Sequence, residues 1–288
     1  MDTTVGALKV GTQLVMGKYG VDKDSPHPIV WLKGNPNCDF ITEKAIDYLC
    51  FDAAEEAGHY RYVNNAKYPV SNLFSFLNSD QMMWYHAMHD NDASPGAFAR
   101  HSYARYEDHY GFLYFFEDYE VASLVRKEYA VGESQVSSLI RLPSVADIFS
   151  LQDGRRFDLL KRKGIRPNPT ADLFDLKARY AGLDSERGFV SFWLLDDVET
   201  ERAAIANRSG MLDRLTASSC AGVRPVCTLS PDTIVEQRGD GAFSIKPFAS
   251  QNVFTDEELF ELLGMAQPKC ATDCNGFSRK RALRQRLK

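Results

Sequence analysis

The first 42 residues hold three short apolar runs separated by turn signals, and this spacing commits the start of the chain to a strand meander. Residues 9–18 read as one strand, with Val10 and Leu14 to Met16 at the apolar positions. Residues 29–33 read as a second strand, after the turn-prone Asp22-Lys23-Asp24-Ser25-Pro26, and residues 39–42 as a third, after Gly34-Asn35-Pro36-Asn37. Connections this short favour antiparallel neighbours.

Helical spacing appears next. Val70, Leu73, Phe74 and Leu77 share one face, and Ser71 is a candidate N-cap for a short helix through Asn78. Val121, Leu124 and Val125 predict a helix over 118–129. Residues 138–142 read as a strand, and Pro143-Ser144 opens a short helix through Phe149. Residues 162–169, basic and containing Gly and Pro, read as an exposed loop. Residues 188–195 are the clearest strand. Both faces are largely apolar, which places it mid-sheet with Trp193 in the core, as Trp31 is on the second strand. The run Gly222-Val223-Arg224-Pro225-Val226-Cys227-Thr228-Leu229 is a closing strand; Pro225 removes a donor and predicts an edge or a bulge. Arg224 among apolar neighbours reads as structural, paired with a buried acid or with backbone carbonyls.

The opening block Gly11-Thr12-Gln13-Leu14-Val15-Met16-Gly17-Lys18-Tyr19 and the following Pro28-Ile29-Val30-Trp31-Leu32, taken with that closing strand, resemble the two ends of an uncharacterised bacterial and phage domain family. Residues 71–78 resemble its helix ending in Trp-Leu-Asn, with Phe76 where Trp is usual. Arg141-Leu142-Pro143-Ser144 resembles the apolar run before its Ser-initiated helix. Phe192-Trp193-Leu194-Leu195-Asp196-Asp197 resembles its Trp-Leu-Arg-Ser segment, with Leu195-Asp196 in place of Arg-Ser, so a family ligand anchored by that pair would lose those contacts here. The closing Gly-Val-Arg-Pro is also similar to the Gly-Phe-Arg ending of formylglycine-generating enzymes, which implies a C-type-lectin-like topology.

These readings combine into an α+β fold, a twisted antiparallel sheet with flanking helices. The main domain covers 5–229, with an inserted aromatic- and His-rich excursion at 80–117, and a helical appendage covers 230–288. The appendage holds a short helix at 256–265, opened by the capping-box signature Thr255-Asp256-Glu257-Glu258, and a basic tail at 278–288.

Composition narrows the function classes. Apolar residues make up 44% and charged residues 25%, as in a soluble globular chain. Met1 to Gly6 holds no basic segment leading into an apolar run, and no run approaches the roughly 18 apolar residues of a membrane span, so a cytoplasmic protein is expected, in host cytoplasm or in a virion. The six cysteines form no C-x-x-C pair and read as reduced thiols. Residues 269–288 carry a net +6 against −5 for the whole chain, so the preceding body carries −11, which argues against nucleic-acid binding by the whole surface.

Three constellations hold candidate chemistry. His86, His89, His101 and His109, interleaved with carboxylates, offer ligands for a transition metal, although no H-E-x-x-H spacing exists. Trp84, Tyr85, Tyr103, Tyr106 and Tyr110, with Arg100 and Arg105, make a partner-binding surface. Arg279, Lys280, Arg281, Arg284, Arg286 and Lys288 offer a salt-sensitive contact for nucleic acid or an acidic partner. No phosphate-binding loop, dinucleotide fingerprint or G-x-S-x-G elbow occurs. The leading expectation is a non-catalytic binding protein for a macromolecular partner, without cofactor or membrane, as a phage virion component or an inhibitor of a host defence complex. The alternatives are a metal-dependent enzyme built on the histidines and a nucleic-acid binder acting through the tail.

Overall fold

A computed structural model describes residues 2–20, 26–52, 66–82, 84, 109–149, 191–197, 202–207 and 211–247. The chain opens with β1 (Asp2–Thr4) and a single 3-10 turn, Val5–Ala7, before β2 (Gln13–Tyr19), β3 (His27–Lys33) and β4 (Asp39–Thr42). These last three form the expected antiparallel meander, with Leu14 opposite Trp31 and Leu32 opposite Ile41. The Trp31 indole N–H donates to the Met16 carbonyl at 2.9 Å, so its burial leaves no polar atom unpaired. Lys33 is buried too; its Nζ bonds the carbonyls of Val5 and Leu8 at 2.9 Å and Gly6 at 3.3 Å, supplying donors to the end of the 3-10 turn.

From β5 (Asp47–Cys50) the chain passes through α1 (Asn72–Leu77), α2 (Asp118–Ser123), a hairpin of β6 (Lys127–Val131) and β7 (Ser134–Ser138), β8 (Ile140–Arg141) and α3 (Val145–Phe149). Next come β9 (Phe192–Asp197), β10 (Arg202–Ala206), β11 (Leu212–Thr216), β12 (Cys220–Val223), β13 (Val226–Thr228), β14 (Ile234–Gln237) and β15 (Phe243–Ile245). Strand dominates. It is divided between an eight-stranded sheet, ordered β1-β14-β15-β2-β3-β4-β13-β8, and a five-stranded sheet, ordered β11-β10-β9-β12-β5. One antiparallel sheet was expected. The described strands form these two and the separate β6–β7 hairpin, and β15–β2 and β12–β9 pair in parallel.

The two sheets share a corner. β4 and β5 are successive halves of one path that leaves the larger sheet and enters the smaller, and β12 and β13 make the reverse passage beside it. Pro225 lies at that passage, not at a sheet edge. Its carbonyl accepts from the Thr42 amide at 3.0 Å, and its missing N–H falls where the ladder is already interrupted. Arg224 is fully buried here, with Nε on the Thr42 carbonyl at 2.8 Å and Nη2 on the Glu43 carbonyl at 3.1 Å. The guanidinium thus takes up carbonyls that the bend removes from the ladder.

β9 is central in its sheet, and each face meets a different apolar cluster. Trp193 and Leu195 join the main core with Trp31, Phe51, Phe76 and Phe112, while Phe192 and Leu194 pack with Leu32, Ile41 and Val226. Two expectations need correction. The domain does not stop at 229: β14 pairs with β1 and β15 with both β14 and β2, and the compact unit runs through Pro247. The helix predicted over 118–129 ends at Ser123, because Leu124 bridges to Leu229, the Val125 amide bonds the Thr228 carbonyl at 2.8 Å, and the hairpin follows. The predicted helix at 256–265, the tail at 278–288 and the loop at 162–169 lie outside the described residues. No described helix is long and apolar enough to cross a membrane.

Candidate functional site

The excursion leaves and rejoins the core at one neck. Leu73, Phe76 and Leu77 of α1 face inward, and Ser71 caps the helix through the Phe74 amide at 3.1 Å. The strand-like run after α1 then pairs with the returning chain: the Gly111 amide bonds the Gln81 carbonyl at 2.9 Å, and the Leu113 amide bonds the Ser79 carbonyl at 3.0 Å. Trp84 packs on Phe76, with ring centroids 5.4 Å apart, and its indole N–H donates to the His109 carbonyl at 2.9 Å. Residues 84 and 109 are therefore held together, and the segment between them begins and ends at the same place.

A buried polar cluster sits beneath this neck. Tyr19 reaches it because β2 is irregular between Val15 and Lys18. Gly17 holds φ +68°, a left-handed conformation that side chains other than glycine's rarely adopt. Leu14 and Met16 point inward, the irregularity resets the alternation, and Tyr19 points inward in turn. A Cβ at Gly17 would run into the Phe116 ring. Glu120 of α2 holds this irregular backbone by accepting from the Gly17 amide at 2.9 Å, and with Glu117 it forms a capping box. Burial pushes the Glu120 carboxyl above the usual glutamate range, against the Gly17 and Glu117 amides that favour its charged form.

Asp47 collects the donors. The Tyr19 hydroxyl donates to Oδ2, the Tyr48 amide donates to Oδ1 at 2.7 Å, and His109 Nδ1 lies 3.1 Å from Oδ2 and 3.0 Å from the Tyr19 oxygen. With the Tyr19 hydroxyl donating to Asp47, a hydrogen on Nδ1 lets the imidazole donate to either neighbour. The side chains of His109 and Asp47 are 1% and 0% exposed. A carboxylate holding an imidazole Nδ1–H is chemically versatile: it locks a ring in place, orients a general base, or orients a metal-bound ring.

The sequence-predicted residues are distributed unevenly around this cluster. Trp84, expected on the partner-binding surface, is interior and needs correction, because an indole with a polar partner packs well in a neck of aromatic rings; His109, expected among the metal ligands, is buried as well. Tyr110 is half-buried and lies against Tyr114 and Phe115, with centroids 4.6 and 5.7 Å away, so an aromatic group does remain at the mouth of the neck. Tyr85, His86, His89, Arg100, His101, Tyr103, Arg105 and Tyr106 lie outside the described residues, as do Arg279, Lys280, Arg281, Arg284, Arg286 and Lys288. Among the described residues no three His, Cys, Asp or Glu side chains converge as a metal centre. Trp31 and Trp193 are fully buried, and the Trp193 indole donates to the Leu49 carbonyl at 2.8 Å. Sequence reasoning missed Tyr19 and Asp47; the available signal was Gly17-x-Tyr19, a bulge glycine just before an aromatic with a polar tip. No protein-family model, no curated protein and no solved structure matches the chain.

Proposed function

We propose that this chain is a non-catalytic binding protein whose core presents the segment between Trp84 and His109 to a macromolecular partner. The observation that carries the reading is the neck, where the Trp84 indole meets the His109 carbonyl at 2.9 Å and the Asp47 cluster anchors the same point from below. A rigid base under an inserted segment is how scaffolds offer variable contact surfaces. Tyr85, Tyr103 and Tyr106, with Arg100 and Arg105, supply the aromatic and guanidinium contacts that dominate interface energies, and Tyr110 at the mouth extends them. In the bacterial or phage setting implied by the resemblance, the partner is a virion protein or a component of a host defence complex. A C-type-lectin-like α+β topology goes with this reading, supported by the pairing of β13, which follows Arg224, with β4 of the opening meander.

The test replaces residues 85–108 with a short flexible linker, leaving Trp84 and His109 in place so that the core contacts survive. Tagged full-length and shortened proteins are compared for what each retrieves from the cell that makes the protein. A partner held by the full chain and lost by a folded shortened chain is the expected result; equal retrieval by both contradicts the proposal.

A second reading rests on the Asp47–His109 contact at 3.1 Å, because a carboxylate on Nδ1–H is what orients an imidazole toward a metal through Nε2. His86, His89 or His101 would supply the remaining ligands. Elemental analysis of the purified protein decides it: a stoichiometric transition metal that is lost in His109→Ala supports this reading, and metal-free protein ends it.

A further inference from the structure

Cys50 closes β5 and Cys220 opens β12, and the antiparallel register sets them directly opposite each other. Their sulfurs are 3.2 Å apart, and Cys50 Sγ is 3.0 Å from the Ser218 carbonyl, to which it donates. Both side chains are buried, at 0% and 3% exposure. We propose that Cys50 and Cys220 are a reversible redox-modification site, joined as an intrachain disulfide when the protein meets a peroxide. A disulfide bond is about 2.05 Å long, so the sulfurs need to approach by only roughly 1 Å, within the reach of small side-chain rotations.

The step balances with hydrogen peroxide as the oxidant. The Cys220 thiolate attacks one peroxide oxygen, the O–O bond breaks, and a sulfenic acid forms with release of one water. The Cys50 thiolate then attacks the Cys220 sulfur, the S–O bond breaks, and a second water leaves. Two electrons pass from the sulfurs to the peroxide oxygens, and the two thiol protons end in the water. The order follows from the environment of Cys50, whose hydrogen is committed to the Ser218 carbonyl. Burial, first, and the neighbouring Cys220, second, push its thiol well above the usual range, which opposes its acting first as a thiolate. Among the described strands β5 lies at the edge of its sheet, so a local opening that admits a water-sized oxidant disrupts one described ladder only.

The link would join residues 170 apart in sequence, removing much of the freedom of the unfolded chain. Cys38 and Cys227 are buried as well and serve as internal controls. The full chain, kept native, is exposed to hydrogen peroxide, unfolded in an alkylating agent and mapped by peptide mass spectrometry. The expected product is a Cys50–Cys220 peptide two hydrogens lighter than the sum of its parts, reversed by dithiothreitol, with Cys38 and Cys227 still alkylated. The urea midpoint of the oxidised protein rises above that of the reduced protein, and Cys220→Ser abolishes the shift. Recovery of Cys50 and Cys220 fully alkylated after that exposure overturns the proposal, as does a dominant link to Cys270 or Cys274, or a midpoint shift that persists in Cys220→Ser.

Discussion

Arg224 and Asp47 are both charged residues sealed in the core, yet the protein accommodates them by opposite means. Arg224 has no carboxylate partner among the described residues. It rests on two backbone carbonyls, those of Thr42 and Glu43, with Nη1 unpaired and the Phe192 ring 5.7 Å from the guanidinium carbon. Burial lowers its pKa to about 10, against a smaller opposing effect of Glu43. Asp47 instead gathers donors from three places: Tyr19 on β2, the amide of its neighbour Tyr48, and His109 at the end of the excursion. The corner therefore depends on one side chain, whereas the neck distributes its contacts over several. Loss of the single member should be severe at the corner, and loss of one contributor should be graded at the neck.

Arg224→Ala is the harshest test. It leaves the Thr42 and Glu43 carbonyls without their guanidinium donors and opens a cavity, for an expected loss of about 4 kcal/mol in urea unfolding. A loss similar to that of an ordinary surface substitution would erase the contrast. Gly17→Ala comes next, at about 3 kcal/mol, because the left-handed backbone and the Phe116 ring both oppose a methyl group. A midpoint equal to the parent's would mean that β2 does not need its irregularity. Asp47→Asn should cost about 2 kcal/mol, since the amide nitrogen confronts donors that the carboxylate accepted.

Tyr19→Phe removes one of those donors and keeps the ring packed against Phe76 and Phe112, so about 1 kcal/mol is expected. A loss as large as that of Arg224→Ala would show that the neck is no more distributed than the corner. The smallest effect concerns pH. Glu120 holds its proton to higher pH in the folded chain than in the unfolded one, where its pKa is near 4.5, so its contribution is full below that value and is lost as pH rises through the raised pKa. Stability measured across mildly acidic pH should show this decline in the parent and not in Glu120→Gln; identical profiles would remove Glu120 from the account of the neck.

Much of the frame was legible in residues alone. The strand at 39–42, the Ser71-capped helix and the two-faced strand containing Trp193 follow from local periodicity and turn chemistry, which act over a few residues. Arg224 was legible as structural because a guanidinium amid apolar neighbours must find acceptors. The second sheet was not legible, since short strands carry no mark of which sheet they join. β14 and β15 were passed over although Asp240-Gly241, with Gly241 at φ +87°, is a strong hairpin signal. The polar cluster was least legible of all: Tyr19, Asp47 and His109 meet only through tertiary packing, and the histidine-rich composition of the excursion pointed to metal ligands, not to a partner for Asp47.

The central claim is that residues 85–108 are carried by a neck that folds without them. The most direct measurement is urea unfolding, followed by tryptophan fluorescence, of a chain in which those residues are replaced by a short flexible linker. The account predicts one cooperative transition within about 1 kcal/mol of the parent, since shortening the connection between two residues that are already held together changes closure entropy only slightly. Loss of the cooperative transition, or a drop as large as that of Arg224→Ala, would show that the segment is part of the core and contradict the account.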